Sequence, residues 1–131
     1  MKTQDKTQET QNKNQPDMLH DIFVAQQKLD SYIRQKRNLN YTKEEWAQKK
    51  SLAMIDEIAE LLNELNYKWW KNPKEINNDL VAGELVDILH FWTSVCLDFG
   101  LTAKDIHKIY FDKNKENFNR QDGLSEKEGY N

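Results

Sequence analysis

Two short acidic groups carry the most chemistry in this 131-residue chain. They are Glu57 with Glu60, and Glu84 with Asp87. Members of each group are three residues apart, so at about 100° per residue along a helix they project from one face. Glu64 extends the first group by a turn. That group lies in LAMIDEIAELLNEL, where Leu52, Ile55, Ile58, Ala59, Leu62 and Leu65 cover much of the rest of the circumference. The second lies in DLVAGELVDILHFWTSVCLDFG, which is apolar nearly all the way round and reads as a helix buried on most sides. Carboxylates among apolar neighbours are costly to bury unless cations neutralise them. No Lys or Arg occurs between Asn77 and Ala103, and His90 is the one base in that stretch. Bundles build divalent-metal sites from such carboxylate pairs on facing helices. Oxygen ligands without Cys and with little His suit Mg²⁺, or Mn²⁺ as a substitute, rather than zinc. Mg²⁺ keeps positions for water and phosphate oxygens, which points to phosphoryl chemistry. The competing reading is structural: a solvated acidic face on one helix, and Glu84 or Asp87 paired with Lys68, Lys71 or Lys113 in an ion network.

The elements that must position these groups are helical. Only 4 Gly and 2 Pro occur, too few turn residues for a many-stranded sandwich or barrel. With 37% hydrophobic and 31% charged residues and a mean hydropathy of −0.97, the core comes from part of the chain. Residues 1–15 are Gln, Asn, Thr and Lys-rich and read as a disordered tail. Pro16-Asp17 opens a first helix to about Arg37, followed by a polar loop to Tyr41. Thr42 with Glu45 forms a capping-box pattern that starts a second helix, expected to reach about Trp70 before Asn72-Pro73. A third helix begins at Asn78 or Asp79 and stops before Gly100. Thr102 with Asp105 caps a fourth, to about Asn119. The expected domain spans 16–121, with 122–131 as a C-terminal tail. This is an all-α, four-helix bundle-type unit, and a third helix so apolar calls for a homodimer to complete its cover.

The remaining composition excludes several classes. A formal charge of −3 offers no broad electrostatic footprint for nucleic acid or an anionic membrane. No apolar run approaches the roughly 20 residues of a membrane span, and the N-terminus lacks a secretory core. The single cysteine, Cys96, excludes an internal disulfide and reads as a small buried hydrophobe. A soluble, cytoplasmic protein is expected.

The order of motifs resembles the dimeric dUTPases within the all-α NTP pyrophosphatase (MazG-like) superfamily. Phe23-Val24-Ala25-Gln26-Gln27-Lys28-Leu29-Asp30 is similar to their F-x-x-Q-x-x-L-D segment. Asn63-Glu64 followed by Tyr67-Lys68-Trp69-Trp70 is similar to N-E and F-K-x-W. The run from Glu84 to Phe91 matches E-x-x-D-x-L-H-F. Tyr110 to Gln121 resembles Y-x-x-K-N-x-x-N-x-x-R-Q, with Gly129-Tyr130 as a terminal G-Y. The resemblance runs from about residue 19 to 130.

It implies Mg²⁺-dependent hydrolysis of dUTP between the α and β phosphates, giving dUMP and pyrophosphate. Glu57, Glu60, Glu84 and Asp87 would be the metal ligands, and Glu57 or Glu60 would take the proton of the attacking water. Lys113, Asn114, Asn117 and Arg120 recur on one stripe of the last helix and would meet the phosphates. Gln26 and Asn63 are candidates for the base or sugar, with Lys68, with Trp70 or Trp69 as a stacking ring, and with His90 at the sugar or on a carboxylate. Trp46 and Trp92 read as packing residues. The C-terminal tail would close over the active site. The alternatives are a broader house-cleaning or dCTP-directed pyrophosphohydrolase and, in another class, a non-catalytic helical interaction module.

Overall fold

The computed structural model describes residues 16–126. Among the described residues there are four helices and no strand: α1 Met18–Arg37, α2 Lys43–Glu64, α3 Asn78–Asp98 and α4 Ala103–Gln121. The fold is all-α, as the sparse turn residues require. The expected 1–15 tail and the end of the C-terminal tail, 127–131, lie outside the described residues.

Local chemistry sets the helix ends. Asp17 caps α1 by accepting from the His20 amide at 3.0 Å. Thr42 accepts from the Glu45 amide at 3.1 Å at the start of α2. Asn77 accepts from the amides of Asp79 and Leu80 at 3.0 and 3.2 Å at the start of α3. At α4 the capping box is complete, because Asp105 also accepts from the Thr102 amide at 2.9 Å. These bonds hold the Asp105 carboxyl below its ordinary range. Gly100, at φ 72°, takes the left-handed turn between α3 and α4, where the Leu101 amide closes on the Cys96 carbonyl at 2.9 Å.

The second helix is shorter than its sequence pattern suggests. It stops at Glu64 instead of Trp70, because Asn66 enters the left-handed region at φ 57°. Its carboxamide donates to the Lys74 carbonyl at 2.7 Å and accepts from the Lys74 amide at 3.0 Å. Those two bonds turn residues 66–74 into a closed loop.

Helix α3 is the centre of the arrangement: α2 and α1 both pack on it, α4 packs on α1, and the backbones of α1 and α2 stay apart. A cleft is therefore left between α1 and α2, with α3 as its floor. The buried apolar cluster is small. Phe23, Cys96 and Ala103 form it, with Leu19, Leu97, Leu101 and Ile106 packed around them. Much apolar surface stays outside, including Leu52 and Ile55 on α2 and Leu85 and Val86 on α3. The expectation that no apolar segment reaches membrane-spanning length does not hold for α3. By length and composition α3 is apolar enough to cross a membrane, although charged residues interrupt its runs. It carries Glu84 and Asp87 on a surface turned toward the cleft and α2, which is the arrangement of a helix with protein neighbours.

Candidate metal centre and cleft

Helix periodicity puts Trp46, Lys50, Glu57, Glu60 and Glu64 on one side of α2, and Leu52, Ile55, Leu62 and Leu65 on the other. An isolated amphipathic helix would turn the apolar side inward. Here the polar side faces α3, and the four apolar side chains are 66%, 62%, 40% and 41% exposed. The inward turn brings Glu57 and Glu60 to Glu84 of α3. One oxygen from each of these three carboxylates lies within 4.8 Å of the others. Asp87 stands at the edge of this compact group. It lines the cleft beside Glu57, and its charge acts on both Glu57 and Glu84.

The electrostatics are those of crowded acids. The Glu57 carboxyl is pushed up to about 7, first by burial, then by hydrogen bonding to Glu84 and Glu60, and then by the charges of Glu60 and Asp87. Glu84 is also raised, with burial the largest cause. Glu57 Oε2 and Glu84 Oε2 are buried without a hydrogen-bond partner. Ion pairs among the described residues go elsewhere: Lys74 to Glu64 at 3.3 Å, Arg34 and Lys50 to Asp98, Lys108 to Asp112, and Arg120 to Glu116. The structural network anticipated as an alternative, in which Lys68, Lys71 or Lys113 neutralises Glu84 or Asp87, is not among them. The orphaned oxygens and the all-carboxylate donor set fit a hard divalent cation.

From this cluster a cleft of about 400 Å³ runs between the helices. Its walls are Gln26, Leu29, Asp30, Ile33 and Arg34 of α1, Trp46, Lys50 and Glu57 of α2, and Asp87, His90, Phe91 and Ser94 of α3. Gln26 and His90, both expected from the sequence, meet here: His90 Nδ1 lies 2.6 Å from Gln26 Oε1. Gln26 Nε2 donates to Asp30 Oδ1 at 2.9 Å, and Ser94 Oγ donates to Asp30 Oδ2 at 2.6 Å. Farther along the cleft, the buried Asp98 carboxylate accepts from Arg34 at 2.6 Å and, on its other oxygen, from Lys50. Both cations also lie over the Trp46 ring, at 5.1 and 4.9 Å.

The other expected residues lie elsewhere. Asn63 and Lys68 line a separate basin of about 300 Å³ with Asn66, Tyr67, Lys71, Asn72 and Lys74. Trp70 sits in the same loop, more than half exposed, edge-on to Trp69 at 4.6 Å and to Tyr67 at 6.5 Å. Lys113, Asn114, Asn117 and Arg120 are on α4, which meets α3 through Ala103 and Ile106 at its N-terminal end, and none of the four lines the cleft or belongs to the acidic cluster.

Sequence reasoning missed Asp30, Ser94, Arg34, Lys50 and Asp98, and took Trp46 for a packing residue. A signal existed for two of them. Gln26 with Asp30 and His90 with Ser94 share an i, i+4 spacing, which lets two facing helices pair residue by residue.

A family model described as dUTPase matches residues 18–102. Over 39 residues the chain is 51% identical to a dCTP pyrophosphatase of Enterobacteria phage T4, and 46% identical to one of Enterobacteria phage LZ5. In both cases the match covers 30% of this chain and 23% of the relative, so the chain spans less than a quarter of the curated relatives it matches. No solved structure matches.

Proposed function

Because this chain belongs to the dimeric all-α dUTPase family, we propose that it is a nucleoside triphosphate pyrophosphohydrolase that cleaves dUTP to dUMP and pyrophosphate. The observation that carries the reading is the group Glu57, Glu60 and Glu84, crowded and with no ion pair to a cation among the described residues, beside a nucleoside-sized cleft. These residues, with Asp87, would hold Mg²⁺. The bound ion would supply charge neutralisation for the triphosphate and acidification of water. Glu57 or Glu60 accepts the proton of the attacking water. Glu57 lines the cleft, where its carboxylate can reach a water at the acidic cluster. Gln26 and His90 receive the nucleoside.

A homodimer supports the rest of the reading. Exposed apolar stripes on α2 and α3 mark a face suited to a second copy. Lys113, Asn114, Asn117 and Arg120, remote from the acids in their own chain, would then serve phosphates at a site completed by that copy. Asn63, Lys68 and Trp70 would join the cleft in the same way.

A second reading has its own support. The relatives from phages T4 and LZ5 are named dCTP pyrophosphatases, so a dCTP-directed enzyme on the same metal chemistry is the rival. Pyrophosphate release from a panel of nucleoside triphosphates, with Mg²⁺ and with chelator, decides. Turnover confined to dUTP supports the proposal, and dCTP turnover moves it to the rival. No metal-dependent turnover of any nucleotide leaves a non-catalytic interaction module. Glu60→Gln should abolish turnover while leaving the helical circular dichroism unchanged. An active variant would remove Glu60 from the metal site.

A further inference from the structure

The cleft holds a hydrogen-bond chain whose direction can be worked out from one end to the other. Ser94 is 2% exposed, and its hydroxyl donates to Asp30 Oδ2. The other oxygen, Oδ1, accepts from the Gln26 amide. A carboxylate oxygen can only accept, so the nitrogen end of the Gln26 carboxamide must face Asp30. Its carbonyl end therefore faces His90, and His90 must donate from Nδ1. A carboxamide free to rotate by half a turn exchanges donor and acceptor at little cost. Gln26, only 7% exposed and held at both ends, does not have that freedom.

We propose that Asp30, braced by Ser94, is the positioning residue that sets base discrimination by fixing the direction of the Gln26 amide. The inference rests on the reading of the cleft as a nucleoside site. With one N–H and one carbonyl lone pair spent, Gln26 offers a ligand one donor and one acceptor in a set order. Uracil presents an N3–H donor between two carbonyl acceptors. Cytosine presents an N3 acceptor beside an amino donor. A fixed amide matches one of these edges and opposes like groups on the other, leaving buried polar groups unpaired. Asn at position 30 both donates and accepts, so it would tolerate either direction of the Gln26 amide.

The test compares the full-length chain with Asp30→Asn and Ser94→Ala. It measures kcat/KM for dUTP and dCTP with Mg²⁺, melting temperature, and the imidazole ¹⁵N shifts of His90. The expected wild-type protein shows the Nδ1–H tautomer at His90 and a strong preference for one nucleotide. In Asp30→Asn the preference falls at least tenfold and the tautomer signature is lost. Ser94→Ala shifts both in the same direction by less, and carries the test alone should Asp30→Asn not fold. An unchanged ratio with both nucleotides slowed equally overturns the proposal and leaves Asp30 a structural residue. So does a wild-type ratio near one, or an Nε2–H tautomer. An inert wild-type chain overturns the pyrophosphohydrolase reading itself, and this inference with it.

Discussion

Binding of Mg²⁺ to the acidic cluster should release a proton below neutral pH. The Glu57 carboxyl stands at about 7 against an ordinary 4.5, because it is buried beside Glu84, Glu60 and Asp87. At pH 6 it therefore holds roughly 0.9 of a proton, and at pH 8 roughly 0.1. A cation takes the ionised form and displaces whatever proton is there. The apparent Mg²⁺ dissociation constant should thus fall by about tenfold between pH 6 and pH 8, and flatten above. Glu84 is raised as well and adds to the effect. Stability of the metal-free chain moves the opposite way. Between 4.5 and 7 the folded carboxyl binds more protons than the unfolded one, so metal-free stability falls as pH rises through that window. Calorimetric titration in two buffers of different ionisation enthalpy counts the protons directly. Release of no proton at pH 6, with an affinity independent of pH, would refute the crowded-acid account of this site.

Three other outcomes follow from the same geometry. Asp98→Ala should lower stability by about 3–5 kcal/mol, because Lys50, nine-tenths buried, loses its carboxylate. At about 4–8 °C per kcal/mol for a domain of this size, the lower figure corresponds to a drop of about 12–24 °C in the melting temperature. Trp46→Ala should raise KM by about tenfold, close to 1.4 kcal/mol of lost contact, and lower kcat less, since the ring lines the cleft away from the acids. Ile55→Glu should shift sedimentation from dimer to monomer. Two copies of a side chain worth about 1.5–3 kcal/mol each give a dissociation constant weaker by roughly 10²–10⁴-fold. A monomeric wild type would remove the dimer from the proposal.

The sequence alone determined what is local. Capping residues Asp17, Thr42, Asn77 and Thr102 and the stop at Gly100 define helix ends within a residue or two, because each acts through hydrogen bonds or dihedrals a few positions away. The three-residue spacing that puts Glu57 beside Glu60, and Glu84 near Asp87, is likewise helix geometry and needs no tertiary contact. The early end of α2 escaped this reading, since Asn66 is held by Lys74 eight residues on.

Only the tertiary structure decided which way α2 turns. Periodicity sets the angles between side chains on one helix, but which side meets α3 depends on every neighbour at once. Taken alone, α2 would bury Leu52 and Ile55 and leave its acids in water. Folded, it does the reverse, exposing those two at 66% and 62% while Glu57 and Glu60 meet Glu84. The pairing of Gln26 and Asp30 with His90 and Ser94, 64 residues away, is of the same kind. Such contacts join helices that are distant in the chain, and no local spacing encodes their register.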